Sequence, residues 1–442
     1  MTSSVWALIA VIAAGPADGA FLNTEDRKFL EDMARAVVEA SRVAPGAKVG
    51  DIGPNTTGGT LIRPGGRDCY PAFWIRDYAM SLDCGLVTPE EQRHALLLTA
   101  DKQQDEEVKL ASGSVIVPGS IPDHISFGGV PIFYPGNLQD YDTQGGVNWG
   151  RLPCLDDAFF FVHMAFAYVR DTGDLAVLDQ KIRDKTIRQR LEEAIAMPPA
   201  RPDTHIVFAD PGNRGINFGF FDTVVHTGDL LFASALKYQA SMELADLLER
   251  AGDAQAAAKY REIAQSIRRA VPAVFGHESG LLKASTEIGA QLDVWGTAYA
   301  VYVGAMDPDT QRKACVALAK ACTGEKIAWQ GMVRHVPTDA DFSETTSWEK
   351  ALAKLNTYQN GAYWGTGTGW VCHAIAQADR NLATRLMREY VAHLREEDFR
   401  KSPEHGAPWE CMHPAGNHRQ NPVYMTGATC PLAAAIRLAN AG

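Results

Sequence analysis

The sequence lacks the short motifs that identify several large classes of enzyme. Its histidines are dispersed, with neither the His-x-x-x-His nor the His-Glu-x-x-His spacing of a metal site. It has no Gly-x-Ser-x-Gly motif and no phosphate-binding glycine loop between a strand and a helix. Its eight cysteines include no Cys-x-x-Cys pair. We therefore expect no metal, no cofactor and mostly buried free thiols.

An excess of positive charge and a long hydrophobic run are also missing. The 42 Lys and Arg residues against 53 Asp and Glu residues give a net charge of -11, which argues against a nucleic-acid partner. The apolar run 5–14 is too short to span a bilayer, so no membrane partner is expected. Because this run resembles the core of a signal peptide without a positive start, export and a cytoplasmic location both stay open. We predict a signal-like segment over 1–20 and one domain over 21–442, and leave the oligomeric state open.

What the chain does contain is an alternation of two kinds of helix. Amphipathic segments need one dry face, whereas segments that are apolar on all sides must be surrounded. An inner ring of six apolar helices inside an outer ring of six amphipathic ones satisfies both needs, so we predict an all-α fold, an (α/α)₆ barrel. The predicted amphipathic helices are 24–42, 89–107, 174–196, 253–270, 308–322 and 380–396, and the apolar ones are 74–84, 155–171, 222–250, 292–306, 364–378 and 424–440.

Connections of very different length favour this barrel over a helical-repeat solenoid, the alternative architecture. A solenoid predicts short loops at a fixed period, but here the loops range from one residue to more than forty. The long loops always precede the apolar helices. Because sites are usually built from long loops on a rigid scaffold, we expect the site where the apolar helices begin.

Carboxylates and aromatic residues recur at those positions. Trp74, Arg76 and Asp77 suit recognition of sugar hydroxyls and an apolar sugar face, although a local salt bridge is the alternative. Trp149 precedes the pair Asp156 and Asp157, of which one is expected to cap the helix and the other to face the cavity.

The later helix starts repeat the pattern with other residue types. Asp222 and Asp293, taken alone, are predicted to be helix caps within core packing. Three further predicted sugar contacts are Gln359, Asn360 and Trp364. Glu410 follows Trp409 in an apolar stretch, where a solvated glutamate is not expected and a buried ion pair is the alternative to a functional role.

This combination suggests carbohydrate chemistry. Two carboxylates flanking a glycosidic bond suffice for hydrolysis, one as acid and one as base or nucleophile. A barrel this wide can hold them far enough apart to admit a water molecule, which favours inversion of configuration.

The motifs resemble those of the six-hairpin glycosidases over about 70–440. Leu-Asp-Asp-Ala-Phe-Phe-Phe at 155–161 is similar to the Val-Asp-x-x-Leu-Trp-x segment of neutral invertases and debranching-type α-1,6-glucosidases, Trp-Ile-Arg-Asp-Tyr at 74–78 to their Arg-Asp sugar-binding segment, Tyr-Gln-Asn-Gly at 358–361 to their Tyr-His-Asn-Gly segment, and Pro-Trp-Glu at 408–410 to their Trp-Pro-Glu stretch. The resemblance implies Asp156 as general acid and Glu410 as catalytic base. Gln359 in place of histidine and the swapped order of Pro408 and Trp409 depart from the pattern.

The sequence therefore predicts a glycoside hydrolase that acts on a carbohydrate. The sugar-contacting residues would be Trp74, Arg76, Asp77, Trp149, Asp157, Gln359, Asn360, Trp364 and Trp409. Three alternatives stay open. They are a sugar epimerase or isomerase that uses His413 or His418, a glycoside phosphorylase, and a sugar-binding protein without turnover.

Overall fold

The computed structural model describes residues 21–67, 69–109, 114–133, 152–212 and 215–440. The predicted segment 1–20 and Trp149 lie outside these ranges. The described chain is mainly helical. Its α-helices are α1 (Thr24–Ser41), α2 (Ile75–Ser81), α3 (Pro89–Lys102), α4 (Asp157–Thr172), α5 (Ile187–Ala196), α6 (Leu231–Arg250), α7 (Ala254–Phe275), α8 (Val294–Val303), α9 (Pro308–Thr323), α10 (Thr368–Ala376), α11 (Arg380–Glu396) and α12 (Thr426–Asn440).

Short antiparallel strands fill the connections between these helices. In the described ranges they form seven sheets of two strands and one of three, β3-β6-β7. The strands are β1 (Arg42–Val43), β2 (Leu61–Ile62), β3 (Ala72–Trp74), β4 (Val108–Lys109), β5 (Val115–Ile116), β6 (His124–Ser126), β7 (Pro131–Ile132), β8 (Lys181–Ile182), β9 (Lys185–Thr186), β10 (Phe208–Ala209), β11 (Gly228–Asp229), β12 (Leu282–Lys283), β13 (Leu292–Asp293), β14 (Ala328–Trp329), β15 (Met332–Val333), β16 (Trp409–His413) and β17 (His418–Pro422).

The even-numbered helices contact one another in cyclic order. Helix α2 packs on α4, α4 on α6, α6 on α8, α8 on α10, α10 on α12, and α12 returns to α2. The odd-numbered helices pack on the outside of this series, α1 against α12, α3 and α5 against α4, α7 against α6, α9 against α8 and α10, and α11 against α10. We call the six even-numbered helices the inner helices.

Burial follows the two kinds of helix that the sequence distinguishes. In α4 every residue from Asp157 to Val169 is buried, because neighbouring helices surround it. In the outer helix α11 the buried residues form a single stripe that includes Leu382, Leu386 and Tyr390, and the opposite face is charged.

Local capping interactions set the starts of several outer helices. Thr88 and Glu91 form a capping box with Pro89 in the first turn of α3. The side chains of Asp253 and Asp307 accept backbone N–H bonds at the starts of α7 and α9. These capping bonds form within one helical turn, so they do not depend on tertiary contacts.

Two predicted helices begin well after the position that the sequence pattern suggested. The segment 174–196 starts with a short 3-10 helix over Leu175–Asp179 and is α-helical only from Ile187, because a tight hairpin with Arg183 in the left-handed region (φ 57°) interrupts it. The segment 222–250 begins its helix at Leu231, because Gly228 (φ 79°) turns the chain into strand β11 first.

All eight cysteines are free, and six of them are buried, which confirms the prediction of buried thiols. In the described part of the chain, no helix combines the length and the apolar character needed to cross a membrane.

Residues at the start of an inner helix or in the segment that leads into it lie together in space for five of the six inner helices. Arg76 at the start of α2 bonds to Asp156 before α4, and Gln359 before α10 bonds to Asp222 before α6. Tyr70 before α2 bonds to Glu410 before α12. The N-terminal ends of these helices therefore meet at one end of the ring, which we call the mouth.

Candidate active site

Glu410 lies at the mouth, and three side chains donate hydrogen bonds to its carboxyl group. It lies in β16, and the hairpin with β17 brings its neighbours Gln420 and Asn421 onto it. Asn421 Nδ2 donates to Oε2 over 2.6 Å and Gln420 Nε2 donates to the same oxygen over 3.2 Å. The Tyr70 hydroxyl donates to Oε1. Both oxygens of a carboxyl group that is only 1% exposed are thus held by neutral donors.

The pKa of Glu410 is raised to about 8. Burial is the main cause, because removal from water disfavours the charged form. The bonds from Tyr70 and Asn421 lower the pKa, and the nearby carboxyls of Asp77 and Asp222 raise it. In the described part of the chain Glu410 makes no ion pair, so the predicted alternative of a buried structural ion pair is not what the structure shows.

The backbone around Glu410 is strained. Tyr70 (φ 55°) and Asn421 (φ 44°), two of its partners, adopt left-handed backbone conformations that residues other than glycine rarely take. Tyr358 (φ 44°), which lies within electrostatic reach of Glu410, does the same. Such strain costs of order 1–3 kcal/mol per residue and is characteristic of functional sites.

Asp222 is the second carboxyl of this group. It ends the short 3-10 helix Gly219–Phe221 and is only partly buried, unlike Asp156. The Gln359 amide donates to its Oδ1. Burial raises the pKa of Asp222 to about 7, although bonds from Gln359 and Tyr358 and the charge of Arg76 lower it.

Tyr358 links the two carboxyls. Its phenol bonds to Asp222, and the charges of both Asp222 and Glu410 contribute to raising its pKa, after burial. Asp77 lies beside them as a third carboxyl and accepts a 2.6 Å bond from the Tyr424 hydroxyl. Burial raises the pKa of Asp77 to about 6.

Asp156 lies in different surroundings, next to a cation. Arg76 Nε donates to its Oδ2 over 2.8 Å, and Nη2 reaches its Oδ1 at 3.3 Å. The Gly219 backbone N–H also donates to Oδ2 over 2.9 Å. A Cβ atom at Gly219 would overlap the Arg76 side chain, so a glycine is required there.

Helix α4 begins directly after Asp156, the predicted general acid. The Asp156 side chain makes no capping bond to α4, because the carboxylate turns toward Arg76 instead. As a proton donor it would have to leave a bidentate ion pair at a site with no solvent exposure. The structure favours a positioning role, in which Asp156 ties Arg76 to the segment that ends in Asp222.

Arg76, a predicted sugar contact, lies at the centre of a cluster of three aspartates. Its Nη2 donates to Asp157 over 2.8 Å and its Nη1 bonds to Asp123. Burial would raise the pKa of Asp123, but Arg76 and then His124 lower it to about 2. Burial raises the pKa of Asp157 well above its usual range despite Arg76.

The same cluster contains the one group of metal-ligand type found among the described residues. Ligand atoms of Asp123, Cys154 and Asp157 lie within 4.8 Å of one another. The Arg76 guanidinium donates to both carboxylates, so a cation already neutralises them. The arrangement is that of an arginine surrounded by aspartates.

The other predicted sugar contacts separate into two groups. Trp74 and Trp409 are partly exposed, and Trp74 stacks on His124 with ring centroids 4.2 Å apart. These two indoles remain predicted sugar platforms. Asp77 also stays a predicted contact.

Three predicted contacts are instead bonded internally. Gln359 is fully buried and also accepts 2.8 and 2.9 Å bonds from Thr223. Asn360 accepts from the backbone N–H of Ser347 (2.8 Å), and Trp364 is fully buried with its indole N–H on the Tyr358 carbonyl. These contacts favour support of the mouth over direct sugar binding, because the polar atoms are already engaged.

The histidines that an epimerase would need lie in the hairpin beside Glu410. His413 pairs across the hairpin with His418, and its ring stacks on Tyr363. His418 Nε2 lies 3.4 Å from the Tyr358 N–H. Burial is the main cause that lowers the pKa of both.

The sequence did not single out Asp222 as a reacting group. It also did not identify Tyr70, Tyr358 and Asn421, which surround Glu410. Asp222 was predicted to be a helix cap, which is wrong because helix α6 begins only at Leu231, after strand β11. The repetition of aspartates at the helix starts was a signal that could have placed it among the candidates.

Comparison with known proteins finds similarity in structure alone. No protein-family profile and no curated protein sequence matches the chain. A solved structure described as a wild-type glycosidase aligns over 94% of this chain and 99% of its own, with a TM-score of 0.55 and 13% identity. A Hormoconis resinae glucoamylase aligns over 93% and 73%, with a TM-score of 0.57 and 12% identity. An uncharacterized conserved protein from Thermus thermophilus aligns over 91% and 99%, with a TM-score of 0.53 and 14% identity. The chain thus has the fold of the six-hairpin glycosidases.

Proposed function

We propose that residues 21–442 form one (α/α)₆-barrel domain that hydrolyses O-glycosidic bonds of a carbohydrate. The cyclic contacts of the inner helices support the barrel. The fold shared with a glycosidase and a glucoamylase supports the reaction class. The partly exposed Trp74 and Trp409 support a sugar substrate, because indole faces pack against the apolar faces of sugar rings.

One observation carries the proposal. Asp222 and Glu410 share Tyr358 at the mouth, and burial raises their pKa values to about 7 and about 8. Neither makes an ion pair with a described residue. Carboxyls poised near neutral pH are what general acid and base catalysis of glycoside cleavage requires.

The two carboxyls have distinct proposed roles. Three neutral donors aimed at Glu410 stabilise its ionised form once its proton has left, which suits the base that activates water. Asp222 is the proposed proton donor to the leaving oxygen, because it is partly exposed at the mouth, where a leaving group can reach it, and its raised pKa keeps a fraction of it protonated at neutral pH. The charge of Asp222 raises the pKa of Glu410, and the reactive form of the pair is the one in which Asp222 keeps its proton and Glu410 has lost its own.

Inversion of configuration is the proposed stereochemical course. It requires a water molecule between the sugar and Glu410, with Asp222 on the other side of the bond. Asp156, the acid that the sequence resemblance implies, is the competing proton donor, and its ion pair with Arg76 counts against it.

The test compares Asp222→Asn, Glu410→Gln and Asp156→Asn on a panel of glycosides. We expect losses of about 10²–10⁴-fold in kcat/KM for the first two variants on unactivated substrates. Aryl glycosides with good leaving groups should restore the rate of the Asp222 variant, since they need no proton, but not that of the Glu410 variant. Azide should rescue the Glu410 variant by replacing the water.

Each role can fail separately. Near-wild-type turnover of the Glu410 variant would overturn its assignment. If leaving-group rescue appears in the Asp156 variant instead, Asp156 is the acid. Proton NMR of the first-formed product should show the anomer opposite to that of the substrate, and the same anomer would overturn inversion.

A further inference from the structure

A cavity of about 470 Å³ lies on the outer side of the ring, away from the mouth. Helices α5 and α7 form its walls and the inner helix α6 forms its floor, where Lys237 contributes. This lysine is only 6% exposed. It makes no hydrogen bond and no ion pair with any described residue.

The two carboxylates that line the cavity, Glu192 and Glu193, already have cationic partners. Glu192 pairs with Arg188 at 3.2 Å, and Glu193 pairs with Lys185 at 2.8 Å. Neither carboxylate bonds to the buried ammonium group. The cavity therefore presents one ammonium group, at the end of a buried side chain, that has no counter-ion among the described residues.

An unpaired buried ammonium group is costly. Removal from water without a compensating charge destabilises the charged form. Burial accordingly lowers the pKa of Lys237 to about 8, and no neighbouring carboxylate raises it. The group remains mostly protonated at neutral pH, where an anion would supply the missing partner.

The rest of the lining restricts what that anion can be. Ile195, Ile263 and the ring of Tyr260 form an apolar wall. Glu192 and Glu193 keep negative charge at the rim although they are paired, which disfavours polyanions. We propose that this cavity is a second ligand site, in which a small organic monocarboxylate pairs its head group with Lys237 and packs its apolar body on the wall.

The first experiment uses matched probes on the wild-type protein. Benzoate has the required charge and an apolar ring, benzamide is its neutral counterpart, and inorganic phosphate carries more charge without an apolar body. Calorimetric titration and thermal unfolding should show binding of benzoate, with a rise in Tm, and at least about tenfold weaker binding of the other two. Equal binding of benzoate and benzamide would overturn the proposal, and so would no binding of benzoate.

The second experiment uses variants. Lys237→Met should abolish the benzoate-dependent rise in Tm, and the exposed Lys259→Met should keep most of it. Because Lys237→Met removes an unpaired buried charge, its own Tm should not fall. Retention of full benzoate binding by Lys237→Met would overturn the site.

A pH series gives an independent readout. Benzoate binding should weaken as the pH rises through about 8 and Lys237 loses its proton. The other titratable groups facing this lysine are Glu192, Glu193, Lys259, Tyr260 and His205. Carboxylic acids ordinarily ionise well below that range, and the His205 pKa is lowered, so binding that does not change there would contradict the proposal.

Discussion

Two groups of buried and partly buried acidic residues are held in opposite ways, Glu410 with Asp222 at the mouth and Glu243 with Asp83 toward the other end of the inner helices. At the mouth, Glu410 and Asp222 are held by neutral donors and make no ion pair with a described residue. Toward the C-terminal ends, His163 bonds to Glu243 over 2.8 Å and lies 3.7 Å from Asp83. Arg170 reaches Asp83 as well, at 2.5 Å. We call these four residues the ion cluster.

The consequence appears in the protonation states. Burial dominates at Glu410 and Asp222, so the pKa values of these two carboxyls rise toward neutral pH. In the ion cluster opposite charges outweigh burial, so the pKa of Asp83 is lowered and that of His163 is raised to about 9. The carboxyls of Glu410 and Asp222 can therefore gain and lose protons near neutral pH. The residues of the ion cluster stay charged in that range and hold the helices together.

Breaking the ion cluster should have the largest effect on stability. His163→Leu leaves Glu243 buried with only the Gln239 amide as a donor, at 2.7 Å. We expect a loss of about 3–5 kcal/mol in the free energy of unfolding, measured by chemical denaturation. The double variant His163→Leu/Glu243→Leu removes both charges and should recover part of that loss. A His163→Leu variant as stable as the wild type would contradict the difference between the ion cluster and the carboxyls at the mouth.

The pH dependence of stability should carry the signature of His163. Its folded pKa of about 9 lies above the unfolded value of about 6.5, so its stabilisation is complete below pH 6.5 and is lost as the pH rises through 9. The loss amounts to about 3 kcal/mol at most. Unfolding free energies measured across this range should fall in the wild type, and the slope should be smaller in His163→Leu. The same slope in both proteins would contradict the assignment.

A smaller effect is expected from Gln359, which bonds to Asp222 without occupying the position of a reacting group. Gln359→Leu removes a donor that lowers the pKa of Asp222. We expect about a tenfold loss of kcat and an upward shift of the pH–rate limb that Asp222 contributes. Gln359→His can still donate an N–H and should restore much of both. A purely structural residue would change the amount of folded protein and leave the pH limb in place.

The last prediction tests the comparison from the side of the mouth. The folded pKa of Asp222 is raised, so its ionisation costs stability as the pH rises from about 4 to about 7. Asp222→Asn should therefore raise the unfolding free energy by about 4 kcal/mol at most above pH 8 and have little effect near pH 4. Denaturant titrations at the two pH values measure this. A loss of stability at high pH would show that Asp222 is a structural anchor like Glu243.

The positions of most helices followed from the sequence because their causes are local. The apolar run of α4 and the caps at Thr88 and Asp307 act over one to four residues. Where a prediction was wrong, as for the start of α6, backbone turns near Gly228 overrode the apolar pattern. The order of apolar and amphipathic helices predicted which helices contact one another in the inner series.

Glu410 was also accessible from the sequence, because a glutamate in an apolar stretch demands an explanation. The sequence does not single out its proposed partner in the same way. Asp156 and Asp222 both precede an inner helix and both stand among aromatic residues, so composition does not separate them. The pairing of Arg76 with Asp156 spans 80 positions, and it is the reason why we propose Asp222 rather than Asp156 as the proton donor.

The sequence by itself determined the helix pairs, the long loops at one end and the set of carboxyls available to the mouth, since these depend on periodicity and capping. Only the tertiary structure decided which carboxyls received cations and which were buried with neutral donors. That decision depends on contacts such as Tyr70 with Glu410, 340 positions apart, whose geometry exists only when the ring is formed. Because burial and charge pairing set the pKa, the chemistry of the site was decided at that level.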